Sequence, residues 1–219
     1  MSRPLCALAF GMWVLGFVGV PPATAQEWIE YRDTTDRFLV NFPSQPAIRD
    51  IMYKPQRGKI VPGRVYTVQS GPARYSITVV NLAGLDGTAI AGAVAWEAWN
   101  VRKRGGEITY DAYAQVDRIA GHQLQITNRD KTRTTVAIHE LNKRLYILEA
   151  TGPPNTGGLV LFQMSLVILD ENGKRIRYQV DDEGNRTGRV PESQLCYLLT
   201  NPPATPKLLF SAQMYSMIS

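Results

Sequence analysis

Two histidines, His122 and His139, are the only imidazoles in the chain, so any histidine chemistry must use one or both. A catalytic zinc takes three clustered protein ligands as a rule. His139-Glu140 lacks the second histidine that a metalloprotease helix requires. Both rings fall in strand-like segments, where a hydrogen-bonded or solvent-facing imidazole is expected. No serine occupies a Gly-x-Ser-x-Gly elbow. Cys196 has no basic context that would depress a thiol pKa. Gly84-Leu85-Asp86-Gly87 has neither phosphate-loop nor dinucleotide spacing and reads as a turn. Carboxylates are plentiful, but their pairing in space cannot be read from spacing, so a carboxylate-using hydrolase stays as the catalytic alternative. No catalytic, metal or cofactor-binding residue is assigned, and no cofactor is expected.

The other residues with chemical potential are two indoles. Trp96 and Trp99 lie in Asp86–Arg104, which reads as a helix. Asp86 or Thr88 is placed to cap its first free amides. Arg102, Lys103 and Arg104 suit its last turn, and Gly105-Gly106 supplies a left-handed stop. At about 100° per residue, Ile90, Val94, Ala98 and Val101 share one stripe, while Trp96 and Trp99 fall on the other side near Lys103. One reading buries both sides of the helix between a sheet and a second layer. The other makes Trp96, Trp99 and Lys103 an exposed interaction face, since Trp is enriched at interface hot spots.

This helix opens the stretch Ile90–Thr151 around which the chain is organised. Strands are expected at Glu107–Val116, His122–Thr127, Arg133–Leu141 and Arg144–Thr151, the last apolar on both faces as a central strand would be. In the first of these, Ile108, Tyr110, Ala112 and Ala114 alternate with polar positions. The connections Ile119-Ala120-Gly121, Asn128–Lys131 and Asn142-Lys143 carry turn chemistry, and such short links imply antiparallel neighbours. Upstream, Glu27–Pro46 reads as two strands around Asp33-Thr34-Thr35-Asp36. Ile48–Pro55 is a further strand, and Gly63–Ser70 with Ala73–Leu82 forms a hairpin around Gly71-Pro72. Gln56–Lys59 reads as a solvated turn. Downstream, 152–158 is a break. Leu159–Leu169 reads as a short helix to about Ser165 followed by a strand. DENGKRIRYQV and DDEGNRTGRV repeat weakly and read as two surface turns; neither has the ligand spacing of a calcium loop. Pro191–Ser219 reads as a loosely packed tail.

Composition narrows the class. The chain has 219 residues, 44% of them hydrophobic and 20% charged, enough for one unstapled core. The net charge of +5 comes without a basic run interleaved with aromatics, so nucleic acid is not an expected partner. Arg3 is the only charge before Glu27. The apolar run Leu5–Val20 and then Ala23-Thr24-Ala25 complete the pattern of a cleaved signal peptide. Cleavage is expected after Ala25, giving a periplasmic or secreted protein without a membrane span. Cys6 is lost with the leader, leaving Cys196 without an internal disulfide partner.

Several segments together carry a family resemblance. They are WIEYRDTTDRFLVNFPSQP, the hairpin through YSITVV, the long helix, RLYILEAT, and Phe162 followed by MSLVIL. Over Glu27–Asp170 the chain resembles the PsbP-like domains, and it looks closer still to uncharacterised exported proteins of alphaproteobacteria. The resemblance implies an α+β fold, an α-β-α sandwich in which a central antiparallel sheet carries helices on both faces. It divides the chain into a signal peptide (1–25), one domain (26–170) and a tail (171–219). It implies an accessory or binding role and no enzyme, and no functional residue carries over. The expected function is a non-enzymatic binding protein of the cell envelope acting on an envelope protein. A small-ligand carrier with a pocket lined by Trp96, Trp99 and nearby tyrosines is a further alternative.

Overall fold

A computed structural model describes residues 28–183 and 185–189. The expected signal peptide (1–25), Cys196 and Pro191–Ser219 lie outside the described residues. In chain order the elements are β1 (Ile29–Asp33), β2 (Phe38–Phe42), β3 (Ala47–Tyr53), β4 (Val61–Ser70), β5 (Ala73–Asn81), α1 (Gly87–Ala91) and α2 (Ala93–Lys103). There follow β6 (Glu107–Val116), β7 (Ile119–Thr127), β8 (Arg133–Leu141), β9 (Arg144–Gly152), α3 (Leu159–Gln163), β10 (Val167–Ile168), β11 (Tyr178–Val180) and β12 (Arg186–Arg189).

Seven strands form one antiparallel sheet in the order β3-β4-β5-β9-β8-β7-β6. Period-2 alternation sends each strand's apolar residues to two separate cores. In β9, Leu145 and Ile147 enter one core, and Tyr146, Leu148 and Ala150 the other, as expected of a central strand. Tight turns set the registers. Asn142 and Lys143 both take positive φ (51° and 62°) between the paired Leu141 and Arg144, the hairpin geometry that matches strand twist.

The next hairpin departs from expectation. Its turn is Asp117-Arg118 (φ 49° and 66°), and Ile119-Ala120-Gly121 belongs to β7. Gly121 is required there for a different reason. A Cβ on it would overlap the His139 ring and the Ile138 carbonyl oxygen.

One face of the sheet carries α1 and α2 over a core of Val80, Leu82, Val101, Leu124, Val136 and Leu145. The expected single helix is interrupted at Gly92, whose N–H bonds the Thr88 carbonyl at 3.0 Å. Asp86 is the cap, accepting the Ala89 N–H at 2.8 Å.

The other face corrects the sandwich expectation. Among the described residues, no second layer of helices covers it. The chain is mostly β, and a three-stranded sheet, β1-β2-β10, lies there with the five-residue α3. Phe38, Phe42, Tyr66, Tyr75 and Phe162 make this core. Their rings pair at 4.9–5.4 Å between centroids for Phe38–Tyr66, Phe42–Phe162 and Tyr75–Phe162. Such pairs contribute about 0.5–1.5 kcal/mol each beyond burial. The physical reason for the difference is length. Leu159–Gln163 is too short to cover a wide sheet, and the alternating Phe38, Val40 and Phe42 of β2 do so from a strand.

Core contacts continue past Asp170, since Ile176 is buried in this second core. The weak repeat has a local cause. Asp170 Oδ1 accepts the Lys174 N–H at 2.9 Å, and Asp181 Oδ1 accepts the Asn185 N–H at 2.7 Å, so each aspartate closes its own turn.

Candidate functional site: the two flanks of α2

Helix α2, about 10 Å wide, lies on a sheet whose strands are spaced about 4.8 Å apart, so among the described residues the outer strands of this face extend beyond it. On the β6 side of α2 this leaves a cleft of about 460 Å³. Ala91, Val94, Ala95 and Ala98 form its helix wall, and Tyr113, Ala120, Gly121, His122 and Glu140 contribute from the strands.

A β-bulge places the polar groups. The β6 register shifts between Ile108 and Tyr110, and the extra residue reverses the alternation. Ile108 pairs with Ile126 before the bulge; afterwards Asp111 pairs with Leu124 and Tyr113 with His122. Asp111 and Tyr113 therefore share the α2 face, and Tyr110, Ala112 and Ala114 take the opposite one. The uniform alternation read from the sequence does not survive the bulge.

Arg102, in the last turn of α2, reaches across to this strand. Its Nε and Nη2 donate to the two Asp111 oxygens, each at 2.7 Å. His122 Nε2 lies 2.5 Å from Asp111 Oδ1 and 3.1 Å from Arg102 Nη2. The Arg102 bonds, with help from His122, hold the Asp111 carboxyl down at about 2. Asp111 is therefore ionised at neutral pH and accepts the Nε2–H of His122. Tyr113, 91% exposed, packs edge-on to His122 at 5.3 Å.

The other flank carries the indoles. Trp96 and Trp99 stack with centroids 4.9 Å apart and 23° between planes, and Lys103 Nζ sits 4.1 Å from the Trp99 ring centre. Trp99 is 44% exposed and Trp96 is half-buried. The Trp96 Nε1 is buried without a partner among the described residues. The structure brings the three residues together, but neither Trp lines the cleft. The pocket-forming aromatic is Tyr113.

The histidines are kept apart. His122 pairs with Ile138 on the α2 side, whereas His139 pairs with Gly121 and Tyr146 on the opposite face. Among the described residues no group of three or more His, Cys, Asp or Glu could hold a metal ion. His122 and Asp111 are joined by an arginine where a third ligand would stand.

The carboxylate pairs are taken up by structural partners. Glu97 on α2 is only 6% exposed. Burial raises its pKa against the hydrogen bonds it accepts from Tyr53 Oη at 3.0 Å and Asn100 Nδ2 at 3.4 Å. Arg104 bridges it to Glu149. Asp33 and Asp36 share the Tyr66 hydroxyl. Neither pair lines the cleft.

Arg102, Asp111 and Tyr113 were not singled out from the sequence as site residues. The available signal was an Arg in a last helical turn followed by a polar strand, but the bulge hides which strand positions it meets.

No protein-family model and no curated protein matches the chain. Among solved structures it is similar to the solution structure of cyanobacterial PsbP (CyanoP) from Synechocystis sp. PCC 6803. The two share 13% identity over 72% of this chain and 98% of that one, with a TM-score of 0.43. Among the described residues, no helix is long and apolar enough to cross a membrane.

Proposed function

We propose that the chain is an exported, non-enzymatic binding protein of the bacterial cell envelope that meets a partner protein through the outer side of α2. The observation that carries this reading is the stacked Trp96–Trp99 pair with Lys103 over its exposed ring. A helix holds the two indoles in fixed positions, so little side-chain freedom is lost on docking. Trp is also the residue type most enriched where binding energy concentrates. The export component rests on the Arg3, Leu5–Val20 and Ala23-Thr24-Ala25 pattern.

The test is in-cell crosslinking and pull-down from the native envelope. It compares the wild type with a Trp96→Ala/Trp99→Ala variant that keeps its cooperative unfolding. A partner captured by the wild type should be lost by the variant. Equal capture by both would move the interface off this helix.

A second reading, a small-ligand carrier, is favoured by the cleft on the other flank. Its volume of about 460 Å³ lies in the range of small-molecule sites, and an apolar wall facing a few convergent polar groups is the usual lining of such sites.

A further inference from the structure

We propose that the outer edge of β6 pairs with the β6 edge of a second copy of this chain, antiparallel and centred on Tyr113, so that two seven-stranded sheets join into one. Neither Trp96 nor Trp99 is part of this interface.

The large sheet ends in β3 on one side and β6 on the other. Along an edge strand, alternate backbone N–H and C=O groups point away from the sheet and offer a template for another strand. The two edges differ in protection. β3 carries the exposed charges Arg49 and Asp50 and lies between Pro46 and Pro55; charge and proline are common guards against edge pairing. β6 has its bulge between Ile108 and Tyr110. Beyond it, residues 110–116 keep a regular register to the end of the strand and include no Pro, Lys or Arg. Asp111 is the one charged residue of that stretch, and both its oxygens accept from Arg102 at 2.7 Å. Among the described residues, β6 pairs with β7 alone.

The sequence of the stretch selects the partner. A two-fold axis through Tyr113, the midpoint of 110–116, sets Tyr113 opposite Tyr113, Ala112 opposite Ala114, Asp111 opposite Gln115 and Tyr110 opposite Val116. No like charges meet. Two aromatics, two methyls, a carboxylate with an amide, and an aromatic with a β-branched residue are all compatible cross-strand neighbours. An axis through Asp111 would set two carboxylates face to face. An axis through Ala112 would draw the bulge into the paired stretch.

The faces agree as well. A two-fold perpendicular to the sheet keeps like faces together. Tyr110, Ala112, Ala114 and Val116 share the small-sheet face, so their apolar stripe runs on from one copy into the next. On the α2 face, Tyr113 is 91% exposed and meets His122 only by its edge, at 5.3 Å. In the dimer the two Tyr113 side chains become neighbours, and both α2 clefts, which Tyr113 lines, come to one side of the joint sheet. Two short strands bury less than the roughly 800 Å² per partner of a standard interface, so the association is reversible, with a Kd on the order of 10 μM.

The test uses the chain beginning at Gln26. Sedimentation equilibrium up to about 500 μM should show monomer and dimer in exchange. Ala114→Lys sets a charge opposite Ala112 of the second copy and should weaken the dimer tenfold or more. Register is read by oxidative crosslinking in a Cys196→Ser background. Directly opposite Cβ atoms lie about 4.5–5.5 Å apart, close to disulfide range. Tyr113→Cys should therefore link to itself across the axis, and Ala112→Cys to Ala114→Cys in a mixture. Gln115→Cys, whose counterpart is Asp111, should stay unlinked.

A monomer over the whole concentration range would overturn the proposal. So would a dimer that Ala114→Lys leaves unchanged, since its contact would lie off β6. Crosslinking of Gln115→Cys as fast as Tyr113→Cys would overturn the register. If Ala114→Lys loses its cooperative unfolding, the comparison of Tyr113→Cys with Gln115→Cys still decides. The pull-down with Trp96→Ala/Trp99→Ala reads the other flank of α2 and is independent of these results.

Discussion

His122 and His139 sit on neighbouring strands and face opposite sides of the sheet, so their chemistry diverges. His122 is held by Asp111 beside a cleft. His139 is 2% exposed, and its Nδ1 has no partner among the described residues. Burial pushes its pKa down to about 4, against a smaller upward pull from the Ile119 and Ala120 backbone. In the unfolded chain the ring takes up a proton near 6.5. Between those values the unfolded state binds more protons than the folded one. Stability is therefore full above about pH 6.5 and is lost as the pH falls towards about 4, by on the order of 3 kcal/mol. His139→Leu should remove that loss. Urea unfolding at about pH 7.5 and about pH 4.5 should show the wild type losing more stability on acidification than the variant. Equal losses would assign the acid sensitivity to other groups. The sequence showed both histidines in strands and outside any metal motif. It could not show that one is packed against Gly121, because that contact depends on the pairing of two strands.

At the scale of elements, α2 is tied to an edge strand by one side chain. Among the described residues β6 pairs with β7 alone and carries a bulge, so its backbone is weakly held at one side. The bidentate Arg102–Asp111 bond adds a tether from the helix. Arg102→Met keeps most of the aliphatic stem and removes the tether. For a partly exposed pair the loss is about 1 kcal/mol. Hydrogen exchange of the β6 amides should then accelerate roughly fivefold, with the buried Val101 turn of α2 unchanged. Unaltered β6 protection would mean that pairing with β7 alone holds the edge. The helical segment, the Asp86 cap of α1 and the Gly105-Gly106 stop after α2 were legible because capping and termination are local. The inward-facing Glu97 was not, since only Tyr53 and Arg104, distant in sequence, make its burial tolerable.

At the scale of the molecule, one sheet separates two cores, and each has its own tryptophan reporter. Trp28 packs edge-on to Tyr75 at 5.1 Å on the small-sheet side. A Cβ at Gly158 would also run into its ring. Trp96 and Trp99 report the α2 side. The strands β4, β5, β7, β8 and β9 each supply buried residues to both cores, so the two should unfold together. Fluorescence-monitored urea denaturation of Trp28→Phe and of Trp96→Phe/Trp99→Phe, each made in the chain beginning at Gln26 so that Trp13 is absent, reads one side each. After correction for each variant's stability by circular dichroism, both midpoints should coincide with loss of sheet signal. A separate earlier transition on the α2 side would show that helix layer to be an independent unit.

The sequence by itself determined most of the strands, the turns at Gly71-Pro72, Asn128–Lys131 and Asn142-Lys143, the helical character of the segment with its indoles and the antiparallel character of the sheet. Each of these follows from side-chain periodicity and turn chemistry within a few residues. Only the tertiary structure decided what covers the second face, where the β6 alternation reverses, and which side chains meet Arg102. Those outcomes depend on cross-strand register and layer packing between residues far apart in the chain. A one-residue bulge moves every later side chain to the other face, and composition carries no trace of it. The α-β-α expectation failed for the same reason, because what covered the second face was set by the packing of β1, β2, α3 and β10, segments from opposite ends of the domain.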